Sequence, residues 1–150
     1  MNSILFLCHG NICRNPMAEF IMKDLLSRRG MEGDMTIDSA AVSREEIGND
    51  MYPPAKRILA KHGIPFSSRA ARQIEEEYLK RYNIIIAMDR SNLRMLKRLF
   101  GERSTADVRL LMSYAGADRD VEDPWYTGDF EQAYTDIVSG CTGLFREIYE

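Results

Sequence analysis

Residues 4–19 are ILFLCHGNICRNPMAE, which combines a short apolar run, a cysteine-containing loop and the start of a helix. The apolar run Ile4–Leu7 is predicted to form a buried strand. Asn15 is predicted to cap a helix that begins with the following proline, because proline is favoured at the first helical position. The residues between the strand and the helix must then form a tight loop, in which Gly10 is expected to adopt backbone angles that other residues avoid.

This loop combines an anion site with a nucleophile. Its backbone N–H groups can point inward beside a helix N-terminus, and Arg14 adds a planar guanidinium that holds two phosphate oxygens at once. The same positive field is expected to lower the pKa of Cys8 from about 8.5 toward roughly 3.5–7.5. The loop therefore predicts phosphoryl transfer through a cysteinyl phosphate. The predicted phosphate-binding residues are His9, Gly10, Asn11, Ile12, Cys13 and Arg14.

The spacing from Cys8 to Arg14 also has a simpler explanation. Such a pair arises by chance in many sequences, and a cysteine that follows a strand is often a small packed core residue. The strand, the glycine and the proline-started helix around this pair favour the catalytic interpretation.

Composition limits the classes of protein to consider. The chain has 150 residues, which is enough for one domain spanning residues 1–150 with a single core. The formal net charge of −3 gives no general attraction to nucleic acid or acidic membranes, so an anion site must be local. No apolar stretch approaches the roughly 20 residues of a membrane span, and the N-terminus does not resemble a signal peptide.

The three cysteines, Cys8, Cys13 and Cys141, do not form the pattern of a disulfide framework. A zinc site is not expected, because the first two cysteines lack a second pair of ligands. The sequence therefore predicts a protein of the reducing cytoplasm, without metal or cofactor.

Strand and helix patterns alternate along the chain. The predicted strands are Ile4–Leu7, Met35–Ile37, Ile84–Met88 and Val108–Leu111. The predicted helices are residues 16–29, Pro53–Ala60, Arg72–Arg81, a segment capped by Asp89, and Asp129–Tyr149, the last interrupted by Gly140 and Gly143. This alternation predicts an α/β fold, a three-layer sandwich whose four-stranded parallel sheet is flanked by helices, with the phosphate-binding loop after strand 1. Ligands in such folds bind at the carboxyl ends of the strands, where the cysteine loop lies.

A second chemical element lies in the segment Tyr114–Gly128, which also leaves the carboxyl end of a strand. A phenolate leaving group, with a pKa of about 10, benefits from a positioned acid, and Asp123 is the candidate. Trp125 and Tyr126 could form an aromatic wall for a substrate ring. The alternative is an ordinary solvated acidic loop.

Four motifs together resemble those of the low-molecular-weight protein tyrosine phosphatase family. They are CHGNICRNPMAE (8–19), DSAAVS (38–43), AMDRSNL (87–93) and DPWY (123–126). The resemblance covers essentially the whole chain in the right order. It implies that Cys8 is the nucleophile, that Arg14 binds the phosphoryl group and its transition state, and that Asp123 is first the general acid and then the base.

The resemblance also implies supporting roles. Asn11 and Ser39 match positions that hold the loop in shape, while Ile12, Trp125 and Tyr126 match positions in the substrate cleft. The implied partners are tyrosine-phosphorylated proteins, with inorganic phosphate as product and no nucleic acid or membrane. A monomer is expected.

Two residues depart from the family pattern. Asn15 stands where the family has a serine that donates a hydrogen bond to the thiolate, so a higher pKa is expected for Cys8 than in a serine-bearing loop. Glu45 stands where a bulky wall residue is usual, and its carboxylate is expected to disfavour acidic phosphopeptides.

Other functions on this loop remain open. An arsenate reductase needs further cysteines after the third strand, and residues 83–101 contain none. A protein arginine phosphatase usually has threonine where this chain has Ile12. A non-catalytic phosphate-binding module would not need Cys8 or Asp123. Cys13 shares the loop with Cys8, so it is also the predicted redox partner that captures an oxidised Cys8 in a disulfide.

Overall fold

The computed structural model describes residues 2–150, which form a parallel sheet between two layers of helices. The strands are β1 (Asn2–Cys8), β2 (Met35–Ala41), β3 (Ile84–Ala87) and β4 (Asp107–Leu110). They pair in the order β2-β1-β3-β4, and every pairing is parallel. The predicted three-layer α/β sandwich is therefore confirmed.

The helices are α1 (Arg14–Arg28), α2 (Pro53–Lys61), α3 (Tyr78–Arg81), α4 (Arg90–Phe100), α5 (Pro124–Thr127) and α6 (Phe130–Tyr149). A 3-10 helix, Leu111–Ala115, follows β4 directly. None of the helices in the described residues is both long and apolar enough to cross a membrane.

The alternation of side chains along β1 creates two cores. Ile4 and Phe6 point to one face and pack with residues of α1, α2 and α6. Leu5 and Leu7 point to the other face and pack with residues of α3 and α4. All four side chains are completely buried. A central strand covered on both faces is continuously apolar, which is why this stretch was recognisable from sequence.

The predicted helix Arg72–Arg81 is wrong over most of its length, because only its last turn is helical, as α3. Residues 72–74 lie beside the end of β2, and Glu76 and Glu77 form a turn before α3. The backbone N–H of Ala41 donates to the Arg72 carbonyl at 2.7 Å, and the N–H of Ile74 donates to the Ala41 carbonyl at 2.8 Å. These tertiary hydrogen bonds override a helical pattern that is only a weak preference.

The start of α1 also differs from the prediction. The helix begins at Arg14, its cap residue is Cys13, and no side chain caps it. Asn15 is already inside the first turn, where its side chain is buried and bonded elsewhere. The following proline is tolerated because the first-turn N–H groups need no intrahelical acceptor.

Candidate active site

The cysteine loop lies at the carboxyl edge of the sheet, where β1 ends at Cys8 and α1 begins at Arg14. In the sheet β1 lies between β2 on one side and β3 on the other, so successive connections leave β1 toward opposite edges of the sheet. This is the switch point at which ligand sites form in open α/β sheets.

The backbone of the loop is arranged as an anion cradle. Four of its carbonyl oxygens accept hydrogen bonds from segments outside the loop, at 2.5–3.1 Å; they belong to Cys8, His9, Asn11 and Ile12. A trans peptide aims its N–H opposite to its carbonyl, so the N–H groups of the residues that follow face the centre of the loop. That centre therefore favours an anion with several oxygens.

Asn11, not Gly10, carries the unusual backbone angle of the loop, with φ at 62°. Asparagine tolerates this left-handed region better than most residues. Its buried side chain is held on both sides: Nδ2 donates to Ser39 Oγ at 2.9 Å, and Oδ1 accepts from the backbone N–H of Arg72 at 3.1 Å. Gly10 instead provides space, since a Cβ at that position would approach the side chain of Glu46 to 3.3 Å.

Cys8 lies at the floor of the loop and is buried. Burial is the largest influence on this thiol and raises its pKa above the ordinary value, against the lowering by Arg14 and by the backbone N–H groups of Asn15 and Asn11. The predicted lowering of the pKa is therefore wrong for this arrangement. The sequence identified the positive groups around the sulfur, but it did not show how deeply the sulfur lies.

The side chain of Asn15 presents its oxygen, and not its N–H group, to the sulfur. Asn15 Nδ2 donates to the carbonyl oxygens of Phe6 and Ala40, at 3.0 and 2.7 Å. These two acceptors fix the orientation of the amide, which leaves Oδ1 at 2.8 Å from the sulfur of Cys8. An acceptor at this distance binds the protonated thiol and disfavours the thiolate.

Arg14 is buried and connects the loop to the acid-bearing segment. Its Nη1 donates to Asp89 Oδ2 and to the Val121 carbonyl, both at 2.7 Å, and its Nη2 lies 3.4 Å from Asp123 Oδ2. Burial lowers the pKa of Arg14, but the negative charges of Cys8, Asp123 and Asp89 outweigh it and raise the pKa overall. The guanidinium therefore stays charged at the base of the cavity.

Asp89 contacts Arg14 of the candidate site, although sequence reasoning assigned it only to capping. It does cap α4, where its Oδ1 accepts from the backbone N–H of Asn92 at 2.8 Å. Its other oxygen orients Arg14. The available signal was its place directly after β3, because the carboxyl ends of parallel strands meet at one edge.

A second set of contacts lies behind the loop, and of its residues the sequence indicated only Ser39. Arg69 Nη2 donates to the Asn11 carbonyl at 2.5 Å, and Ser39 Oγ donates to Glu19 Oε1 at 2.6 Å. Arg69 lies in an irregular segment, so no periodicity or motif pointed to it. The first contact holds the backbone of the loop directly, and the second orients the Ser39 hydroxyl that accepts from Asn11 Nδ2.

Asp123 lies where the sequence placed it, over the cysteine loop. It is the cap of α5, and its Oδ1 accepts from the backbone N–H of Trp125 at 3.0 Å. Its other oxygen faces Arg14, and the carboxylate borders the same cavity as Cys8. The structure thus brings the thiol, the guanidinium and the carboxylate together.

The cavity opens between two different walls. Trp125 and Tyr126 are exposed and form an aromatic wall, in which Trp125 packs on Tyr52 with ring centroids 4.8 Å apart. Glu45 forms a second, charged part of the lining and pairs with His9 Nε2 at 2.9 Å. Residues from the loop and both walls line the cavity: Cys8, His9, Gly10, Ile12, Cys13, Arg14, Glu45, Glu46, Asp123, Trp125 and Tyr126.

Cys13 lines the same cavity as Cys8 and is buried. Burial, followed by the neighbouring Cys8, raises the pKa of Cys13 to about 12, so it is a thiol at neutral pH. Within the described residues Cys8, Cys13 and Cys141 are free thiols. The disulfide between Cys8 and Cys13 under oxidation stays a prediction.

Comparison with known proteins gives a consistent result. The family model described as low molecular weight phosphotyrosine protein phosphatase matches residues 3–150. A low molecular weight protein-tyrosine-phosphatase of Bacillus subtilis, YfkJ, is 41% identical, with 99% of this chain and 96% of the relative covered. The low molecular weight phosphotyrosine protein phosphatase of Homo sapiens is 38% identical, with 98% and 96% covered.

Solved structures agree with these relatives. The crystal structure of YfkJ from Bacillus subtilis matches with a TM-score of 0.93 and 41% identity, covering 99% of this chain and 94% of that one. The crystal structure of a Drosophila arginine phosphatase matches with a TM-score of 0.90 and 31% identity, covering 100% and 99%.

Proposed function

Since the chain belongs to the low molecular weight phosphotyrosine protein phosphatase family, we propose that it hydrolyses phosphotyrosine in proteins through a cysteinyl phosphate on Cys8. The observation that carries this proposal is the convergence of Cys8, Arg14 and Asp123 on one cavity beside an aromatic wall. The partners are tyrosine-phosphorylated proteins in a reducing cytoplasm, where the thiols remain free, and the protein acts as a monomer.

In the first step the Cys8 thiol loses its proton to solvent, and the resulting thiolate attacks phosphorus while the bond to the tyrosine oxygen breaks. The inward N–H groups and Arg14 hold the three other phosphate oxygens and the charge on them. Asp123 donates its proton to the leaving phenolate, whose pKa of about 10 makes it a poor leaving group without protonation.

In the second step water attacks the phosphocysteine. Asp123, now ionised, takes a proton from the water, and the Cys8 thiolate leaves as inorganic phosphate forms. The same carboxylate thus serves both steps. Most of the rate enhancement comes from positioning and charge stabilisation by the loop, as in phosphoryl transfer in general.

Replacement of the nucleophile tests the mechanism directly. Cys8→Ser should abolish turnover of p-nitrophenyl phosphate while inorganic phosphate still binds, because the N–H cradle and Arg14 remain. Calorimetry with phosphate and a turnover assay in the presence of a chelator measure the two properties. Cys141→Ala, which changes a buried cysteine of α6 away from the cavity, is the matched control. Turnover by Cys8→Ser, or a requirement for a divalent metal, would refute the mechanism.

A second candidate activity is the hydrolysis of phosphoarginine, since one of the similar structures is a Drosophila arginine phosphatase. Ile12 and Trp125 line the cavity with apolar surface, which favours a flat aromatic ring over a guanidinium. Steady-state kinetics on matched phosphotyrosine and phosphoarginine peptides separate the two. A larger kcat/KM on phosphoarginine would make this second activity the principal one.

A further inference from the structure

The segment that carries the candidate acid, Gly116–Asp123, contains no helix or strand. It is nevertheless attached to the sheet near its end. The N–H of Val121 donates to the Met88 carbonyl at 2.9 Å, and the Val121 carbonyl accepts from Arg14 Nη1 at 2.7 Å. These two bonds fix one point of an irregular segment whose position decides where the acid lies.

A second attachment is formed by Arg119 and Asp136. Arg119 Nη1 and Nη2 donate to the two carboxylate oxygens of Asp136 at 2.9 and 2.7 Å. Asp136 is a buried residue of α6, and Gln132 Nε2 donates to it at 3.0 Å. A bidentate pair with a buried carboxylate on a long helix is the arrangement in which an ion pair fixes geometry most effectively.

A third attachment is weaker. Arg90 contacts Asp120 and Asp118, with its Nη1 at 3.3 Å from Asp120 Oδ1. Asp118 is almost fully exposed, and Arg90 and Asp120 are partly exposed. Exposed pairs of this kind contribute little to stability. Arg119 is itself exposed, but its pair is bidentate and its partner Asp136 is buried, so this attachment is the one expected to matter.

We propose that Arg119 is a positioning residue for acid catalysis, which binds Asp136 on α6 and thereby holds Asp123 at the oxygen of the leaving group. This rests on the proposed function, because it assumes that Asp123 is the acid. Arg119 is only four residues before Asp123, and a misplacement of about 1 Å can reduce catalysis on the order of a hundredfold. Loss of the attachment should therefore reduce proton donation while phosphate binding persists.

The dependence on the leaving group tests this role. Arg119→Gln should lower kcat/KM on the order of tenfold for phenyl phosphate, a part of the roughly 10²–10⁴-fold that a general acid contributes. For p-nitrophenyl phosphate, whose leaving group needs less protonation, the loss should stay below about twofold. The inhibition constant of inorganic phosphate should not change, since the cradle is intact.

Two further variants separate positioning from folding. Arg119→Gln leaves the buried carboxylate of Asp136 without its charged partner, and this alone is expected to lower the melting temperature of the variant. The double variant Arg119→Gln with Asp136→Asn removes this charge and should show the same loss on phenyl phosphate. Arg109→Gln, which breaks exposed pairs with Asp107 and Glu147 outside the cavity lining, should affect neither substrate.

Asp123→Asn supplies the reference for the experiment. If it loses activity preferentially on phenyl phosphate while Arg119→Gln does not, the positioning role of Arg119 is refuted and the acid assignment stands. Equal losses on both substrates in Arg119→Gln also refute it, because they indicate a general structural defect. If Asp123→Asn itself shows no preference, the acid assignment fails instead.

Discussion

The pKa of Cys8 depends on its burial, on the positive groups around it and on the amide group of Asn15. Asn15 directs its Nδ2 to two backbone carbonyls and so leaves an acceptor, Oδ1, at the sulfur of Cys8. Burial already raises the pKa of Cys8, and an acceptor that binds the S–H acts in the same direction. The positive charge of Arg14 and the backbone N–H groups of Asn15 and Asn11 lower the pKa of Cys8 and so oppose both influences. A hydroxyl in place of the amide would reverse only the contribution of residue 15.

Asn15→Ser should lower the pKa of Cys8, because a serine hydroxyl can rotate its proton toward the thiolate. The thiolate would then persist to lower pH, and activity on the acidic side should increase. The pH dependence of inactivation by iodoacetate measures this pKa in both forms.

Asn15→Ala is the matched control for this test, since it removes the acceptor and adds no donor. It should lower the pKa of Cys8 less than the serine variant does. An unchanged or higher pKa in Asn15→Ser would mean that the amide already stabilises the thiolate as well as a hydroxyl would.

At the scale of single residues, the sequence indicated which residues form the candidate site better than it indicated their backbone angles and contacts. Cys8, Arg14 and Asp123 could be selected as candidates because a thiol, a cation and a carboxylate each follow a predicted strand. The positive φ was assigned to Gly10 from conformational freedom alone, whereas the structure gives it to Asn11, whose side chain is held by partners far away in sequence. Contacts of that kind leave no local pattern.

At the scale of elements, the contact between α6 and the 3-10 helix explains two glycines that weaken a helix. A Cβ at Gly140 would overlap the side chain of Leu111, and a Cβ at Gly143 would overlap the carbonyl oxygen of Tyr114. From sequence these glycines only cost helix stability, up to about 1 kcal/mol each relative to alanine. The structure shows that they allow the two helices to approach closely.

Gly143→Ala should therefore destabilise the protein, although alanine is the better helix former. We expect a loss of about 1–3 kcal/mol, the usual cost of overpacking, because the overlapping atom belongs to the backbone and cannot move aside. Thermal or urea unfolding gives the free energy. Ser139→Ala, at an exposed position of the same helix, should be neutral or slightly stabilising. A Gly143→Ala variant as stable as the parent would mean that the helices separate at little cost.

Helices and strands were predicted correctly where the hydrophobic pattern of a segment matches the way that the segment is buried. β1 and β3 are short continuous apolar runs, and α4 has both a capping box and an amphipathic pattern. It failed over the first part of Arg72–Arg81, where the backbone of Arg72 and Ile74 bonds to Ala41 of β2. Local sequence carries no information about such an acceptor.

At the scale of the whole molecule, the parallel sheet brings together residues that are far apart in sequence. Cys8 ends β1, Glu45 follows β2, Asp89 follows β3 and Asp123 follows β4 with its 3-10 helix. All four therefore lie at the same carboxyl edge. This convergence was predictable from the α/β pattern alone. It brings the buried cation Arg14 and several carboxylates to one edge of the sheet, although the net charge of the chain is only −3.

The charge at the mouth of the cavity should select among phosphotyrosine peptides. Glu45 is exposed and lines the cavity, so its carboxylate lies near the residues that flank a bound phosphotyrosine. Peptides with lysine beside the phosphotyrosine should therefore have a higher kcat/KM than peptides with glutamate there. Exposed charge pairs contribute about 0.2–1 kcal/mol, so the ratio should be up to about fivefold and should decrease with added salt.

The contribution of Glu45 itself is measured against a charge change elsewhere on the surface. Glu45→Lys should remove or reverse the preference for lysine peptides, because the interaction is local and screened within about 10 Å. Glu76→Lys changes the net charge equally at an exposed residue that does not line the cavity, and it should leave the preference intact. If both variants shift the ratio alike, the overall charge of the protein selects the peptide and the wall at Glu45 does not.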